Sequence, residues 1–305
     1  MSIGVILSVS ASVLFGGLYY FSTLLMPLDG EQIFGWRMLL TFPFVTLFML
    51  LAGYWPLTRE LAVRIRRRPV LLWVQLLSAL LVGLQLWLFM WAPVNGRALE
   101  VSLGYFLLPL SMVLAGYLVF REHPSRLQQL AIAFAVLGVG HALLQAGTIA
   151  WETLLVALGY PAYFVLRRVT GTDNLGGFWF DMLLLLPVAG WFAWAGGTAP
   201  SLFNEFPRLY PLVALLGAFS ALALVTYILA SRLLTFTLFG LLGYVEPVLL
   251  VLVALLLGES IAPEEWLTYG AIWMAVGVLV FEGLRHLQRS RRALRRNAAG
   301  NSEPR

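Results

Sequence analysis

Stretch after stretch of this chain is apolar and almost free of charge for long enough to cross a lipid bilayer, which restricts the fold more than any other feature. Crossing roughly 30 Å of hydrocarbon at about 1.5 Å per residue takes about 20 residues of helix. Ten stretches meet or approach that length: 3–26, 33–54, 71–91, 99–120, 127–145, 151–166, 178–195, 210–231, 236–257 and 266–281, the sixth and seventh being short. No water reaches the bilayer core, so each backbone amide there must be bonded within its own segment, and the stretches are read as helices. With 60% hydrophobic and 11% charged residues, against about 25% charged in a soluble domain, a soluble fold is excluded. The first stretch lacks a preceding basic region and runs well beyond the apolar core of a signal peptide, so it is read as a span. The expectation is an all-α membrane protein of ten transmembrane helices.

Charge sets the orientation. All 20 basic residues are arginine, and 17 fall on one side of the predicted helices. Arg59, Arg64, Arg66, Arg67 and Arg68 lie between the second and third spans, Arg121 and Arg126 between the fourth and fifth, and Arg167 and Arg168 between the sixth and seventh. Arg232 lies at the next such turn and seven more follow Gly283, whereas the opposite loops hold only Arg97 and Arg208, and Arg37 lies inside a helix. Short Arg-rich loops stay in the cytoplasm, so both termini are expected there, in an inner (plasma) membrane. The net charge of +5 thus reflects topology, not a nucleic-acid partner, and the Arg-rich segment 284–305 is read as a solvated anchor near anionic headgroups. Cysteine is absent and only His123, His141 and His286 are present, so no Cys/His metal site is expected.

The chain also repeats itself. Gly104, Tyr105, Pro109 and Glu122 recur as Gly243, Tyr244, Pro247 and Glu259, and Ala131, Ile132, Ala135 and Val136 recur as Ala271, Ile272, Ala275 and Val276. The offset stays near-constant. Five helices per unit is an odd number, so the second copy enters from the opposite face, giving inverted repeats over 1–147 and 148–283, followed by the tail 284–305. Two such halves can exchange conformations around a site near the midplane, so alternating access is the expected mechanism.

Two five-helix halves, each with a proline in its fourth helix and a glutamate just past it, resemble the drug/metabolite transporter superfamily and its EamA domains. The run Leu99-Glu100-Val101-Ser102-Leu103-Gly104-Tyr105-Phe106 with Pro109, together with Glu31, Arg37 and the Glu122 region, is similar to the RarD, or chloramphenicol-sensitivity, subgroup. The resemblance implies a ten-helix exporter or permease for a small organic solute such as an amino-acid-like metabolite or drug. It also implies a central cavity lined by helices 1 to 4 and 6 to 9, with helices 5 and 10 outside. Uptake, facilitated flux and a non-transporting scaffold are the alternatives, and neither substrate nor oligomeric state transfers.

Ionisable residues within spans are costly and mark pathways or partners. Glu246 lies ten residues into the ninth span, about 15 Å deep, and is read either as carrying a coupling proton or substrate amine, or as a hydrogen-bonded packing group. Its first-half counterpart is Leu108, beside Pro109. Pro247 cannot donate to the carbonyl of Gly243, so a kink is expected there. Arg37 and Glu100 share a leaflet, which predicts an ion pair, with capture of a substrate carboxylate by Arg37 as the alternative. Asp181 is expected as a solvated interfacial carboxylate, and His141 as a packing residue. Tyr105 and Tyr244 either face the cavity or fill Gly-made grooves, while Ala131 with Ala135 and Ala271 with Ala275 form faces for close helix contact. No phosphate-cradling loop is present, so ATP drive and other cofactors are not expected, and any coupling is to an ion gradient. The acids sit at different depths, which disfavours an enzyme.

Overall fold

The computed structural model describes residues 2–194, 199–249 and 262–300, and all regular structure among them is helical. Glu259 and residues 301–305 lie outside the described residues. The helices are α1 (Ser2–Thr23), α2 (Gly30–Leu51), α3 (Trp55–Arg67), α4 (Val70–Val94), α5 (Ala98–Phe120), α6 (Arg126–Ala146), α7 (Trp151–Thr170), α8 (Leu175–Trp194), α9 (Ala199–Glu205), α10 (Leu209–Leu233), α11 (Phe236–Leu242) and α12 (Trp266–Gly300). Helical backbone resumes over 245–249 after α11.

Seven of these stretches are long and apolar enough to cross a membrane: α2, α8, α10, most of α4 and α5, α6, and Pro263–Gly283, a 3-10 turn at Pro263–Glu265 that runs into the first part of α12. Ile3–Leu18 in α1 and Phe236–Leu249 across α11 are apolar but shorter. Helix α7, the sixth expected span, stands outside that set and carries Glu152, Arg167 and Arg168 near its ends. Two helices were not anticipated: α3 fills the loop between the second and third spans, and α9 the loop between the seventh and eighth. Past 281, α12 continues as helix through the Arg-rich segment to Gly300.

Local chemistry explains several boundaries. Asp29 caps α2 by accepting from the Gln32 amide at 2.7 Å while the Gln32 side chain accepts from the Asp29 amide at 3.2 Å. Ser125 and Gln128 do the same for α6. That helix ends on Gly147 in the left-handed region at φ 69, where a glycine carries no steric penalty.

Small residues bring the helices together. A Cβ on Gly35 of α2 would sit 2.6 Å from the Ala189 carbonyl oxygen of α8, and one on Gly138 of α6 would sit 2.9 Å from the Thr268 carbonyl oxygen of α12. The α6–α12 seam buries Ala131, Ala135, Ala271 and Ala275, small residues expected to form faces for close helix contact. Helices α2 and α8, α5 and α11, and α6 and α12 all pack together. Helix α10 packs on α1 and α2, while α5 and α4 pack on α7, enclosing the middle of the bundle.

Candidate functional site

The interior of the bundle gathers polar side chains around Arg37. This residue, only 1% exposed, stands on the third turn of α2. Its Nε donates to Ser220 Oγ of α10 at 2.8 Å, its guanidinium carbon lies 5.9 Å from the Phe89 ring centre of α4, and its Nη1 has no hydrogen-bond partner. Tyr105 of α5, Tyr160 of α7 and Glu246 lie within electrostatic reach of Arg37, and Tyr227 of α10 is in turn within reach of Tyr160 and Glu246. Tyr105 and Tyr160 share a hydrogen bond, with ring centres 6.2 Å apart. Phe15, Phe164 and Phe239 pack on Tyr227 at 5.6, 5.6 and 4.8 Å, completing an aromatic wall.

Glu246 is half-buried, and its electrostatic neighbours come from α2, α5, α7 and α10, so its carboxyl belongs to the bundle interior. It forms no direct ion pair with Arg37. An orphaned buried N–H normally costs about 1 to 3 kcal/mol. An unfilled guanidinium donor near a carboxyl that has no ion pair among the described residues therefore suits a site that binds a polar guest.

The backbone next to Glu246 is irregular. Helix α11 stops at Leu242, Gly243 and Tyr244 form a turn, and helix resumes at 245. Pro247 has no amide proton for the Gly243 carbonyl, which instead accepts from the Glu246 amide at 3.4 Å. In the first half α5 runs uninterrupted through Pro109. Of these two proline-bearing segments, only the one that carries the glutamate is interrupted just before its proline.

Tyr105 and Tyr244 part company despite their matching positions. Tyr244 is fully buried in the seam with α6 and α12, and its hydroxyl donates to the Phe106 carbonyl at 3.0 Å. Tyr105 precedes Pro109 by four residues but Tyr244 precedes Pro247 by three. One residue is about 100° of helix rotation, enough to turn the second tyrosine to another face.

Two further expectations need correction. Glu100 does not pair with Arg37: Arg97 takes it at 3.0 Å and also binds Glu152 at 2.6 Å, the latter 1% exposed. The hydrogen bond that Arg97 donates to Glu152 holds its guanidinium above the usual arginine range. Arg97 stands three residues before Glu100, the spacing of helix neighbours, so the carboxylate finds a cation within its own segment.

Asp181 is not solvated but fully buried, 2.8 Å from Nη1 of Arg167, itself 1% exposed. Asp181 also accepts from Gln75 Nε2 at 2.7 Å and Tyr163 at 3.1 Å, and Arg167 donates to Tyr163 and to the carbonyls of Thr172 and Asn174. Every guanidinium donor is engaged, which is how a buried charge becomes tolerable. This cluster ties α4, α7 and α8 together. Gln75 and Gln85, lone amides in an apolar span, were its legible signal; Gln85 likewise reaches across to the Leu155 carbonyl of α7 at 2.8 Å.

Glu122 also has a defined task. Arg121 takes a left-handed conformation at φ 53 after α5, and the Glu122 carboxylate accepts from the Phe236 and Thr237 amides at 2.8 and 2.7 Å. It caps the start of α11, where a negative charge is favoured. His141 bonds Thr268 at 3.0 Å within the α6–α12 seam, as a packing residue would.

Residues 2–144 match the model of the EamA-like transporter family. The chain is also 46% identical to an uncharacterized transporter of Pasteurella multocida over 94% of its length and 98% of that relative's. This chain belongs to the EamA-like transporter family. Within it the relatives point to the RarD subgroup: the chloramphenicol-sensitive protein RarD of Pseudomonas aeruginosa is 45% identical over 95% of this chain and 97% of its own, and protein RarD of Streptomyces exfoliatus is 28% identical over 95% and 92%. One solved crystal structure matches with a TM-score of 0.61 at 16% identity, covering 91% of this chain and 98% of its own, a likeness of fold. As an EamA-like transporter the chain is a multi-pass membrane protein, and the Arg37 cluster is its candidate solute site.

Proposed function

We propose that this EamA-like transporter moves a small zwitterionic, amino-acid-like solute across the inner membrane by alternating access, with Arg37 receiving the carboxylate and Glu246 the amine or a coupling proton. The observation that carries this reading is the free, buried Nη1 of Arg37 within electrostatic reach of Glu246 but not paired with it. Two opposite charges held apart in a low-dielectric interior leave room for a guest that neutralises both. Tyr105, Tyr160 and Tyr227 supply hydroxyls and flat apolar faces for the rest of it. Asp181 is spoken for by Arg167 and has no part in this site.

Ten spans in two inverted halves, with both termini cytoplasmic, complete the reading. The family model ends at 144, close to the expected boundary at 147, and three counterpart pairs of helices pack together, as a two-fold between the halves would require. The name chloramphenicol-sensitive protein, carried by the Pseudomonas relative, adds a drug as an alternative cargo.

The test is flux in proteoliposomes under an imposed proton gradient, scanning amino acids and related amines and acids. With Glu246→Gln, gradient-driven transport should be lost while the fold, read by melting temperature, stays intact; with Arg37→Gln, uptake of carboxylate-bearing solutes should fall at least tenfold. Unchanged gradient-driven flux in Glu246→Gln excludes the carboxyl as the coupling group. Undiminished carboxylate uptake in Arg37→Gln sinks the solute assignment.

A further inference from the structure

Helix α3 lies between two membrane-crossing helices, and its arginines divide between two faces. Arg64 turns inward: its guanidinium donates to the Gly171 and Thr170 carbonyls at 2.9 Å each, capping the end of α7. Thr58 and Leu61 are buried with it, and the Leu57 and Thr58 backbone packs against Gly176 of α8. Arg59, Val63, Arg66 and Arg67 follow at helical spacing along the opposite, exposed stripe, and Arg68 is exposed just beyond the helix end. Glu60 is the one carboxylate on that stripe, and none of the four outward arginines forms an ion pair among the described residues.

The neighbours of α3 fix its height. Leu50 and Leu51 at the end of α2 are 53% and 80% exposed, and Val70 and Trp73 at the start of α4 are 72% and 73% exposed. Apolar side chains this open at the ends of spanning helices meet acyl chains, and tryptophan favours the headgroup boundary. The stripe between them therefore sits at the level of the phosphates, with Val63, 46% exposed, as its apolar contact.

We infer that α3 is an in-plane helix whose outward arginines, Arg59, Arg66, Arg67 and Arg68, bind the phosphodiester headgroups of anionic phospholipids. Arginine suits this partner because its fork of donors matches phosphate oxygens. Through Arg64 and Gly176 the bound lipid acts on the adjoining ends of α7 and α8, so anionic lipid stabilises the bundle at that edge.

The test melts the purified full chain in neutral detergent with increasing phosphatidylglycerol or phosphatidylcholine. Phosphatidylglycerol should raise the melting temperature more than phosphatidylcholine does, and the difference should shrink in high salt. In the variant R59Q/R66Q/R67Q/R68Q the half-saturating phosphatidylglycerol should rise about tenfold or more, since each arginine at an anionic surface contributes roughly fivefold. The tail variant R291Q/R292Q/R295Q/R296Q, which removes as many arginines, should shift the response less than the α3 variant does. Equal responses to the two lipids, a preference that survives the α3 substitutions, or one lost only with the tail would each overturn the proposal. A nitroxide on Val63→Cys gives an independent reading, since the chain has no native cysteine. In phosphatidylglycerol vesicles it should be reached by lipid-soluble oxygen, whereas full access to a water-soluble nickel reagent and none to oxygen would place α3 in the aqueous phase and refute the idea.

Discussion

Replacing Asp181 by asparagine keeps its size and most of its hydrogen bonding but removes the charge that balances Arg167. Both side chains are essentially sealed from solvent, at 0% and 1% exposed, with the closest approach at 2.8 Å. Losing one partner of such a buried pair costs about 3 to 5 kcal/mol, because the other charge is left uncompensated in a low-dielectric setting. Here the lower end applies, since Arg167 keeps its bonds to Tyr163, Thr172 and Asn174. A loss of about 3 kcal/mol corresponds to a melting temperature lower by roughly 6 to 12 °C. The assay is thermal unfolding in detergent, followed by tryptophan fluorescence or by loss of the monodisperse peak. The same substitution in an Arg167→Gln background should cost less, with a coupling of about 2 kcal/mol. As a control, Arg168→Gln touches a pair 3.6 Å apart whose side chains are 28% and 18% exposed, and should cost under about 1 kcal/mol. A melting temperature for Asp181→Asn within about 1 °C of wild type would refute the claim that this cluster fastens α4, α7 and α8.

The arginine pattern predicts that single cysteines at Gly147 and Pro263 react with an impermeant maleimide from outside intact cells while those at Arg66 and Ser290 do not; external labelling at Arg66 would reverse the topology. Gly35→Ala should lower stability by about 1 to 3 kcal/mol, because its Cβ would lie 2.6 Å from the Ala189 carbonyl oxygen and 2.8 Å from Ala193 Cα, atoms of a helix backbone that cannot give way cheaply. An unchanged melting temperature there would show that α2 and α8 do not pack as closely as described.

The chain's own pattern was enough to establish that it is a helical membrane protein, because hydrocarbon cannot bond a backbone amide and so translates long apolar runs directly into helices. A recurrence was visible along the chain as well, with Gly104, Pro109 and Ala131 returning as Gly243, Pro247 and Ala271 at a near-constant offset. The short list of charged residues inside the spans was equally visible, which is why Arg37, Asp181 and Glu246 were singled out. Their partners were not. Arg37 meets Ser220, 183 positions away, and Arg97 meets Glu152, 55 positions away, and neither separation has any period to read. Pairing depends on the rotation and relative depth of helices remote in sequence, and in lipid the outward face of a helix is as apolar as its packed face. Hydropathy therefore could not tell that Tyr244 turns into the α6–α12 seam while Tyr105 turns inward, nor that Asp181 leaves the interface for a buried cluster. Only the packing of α4, α7 and α8 around Arg167, and of α2, α5, α7 and α10 around Glu246, decided which of these charges meets a close opposite charge among the described residues and which does not.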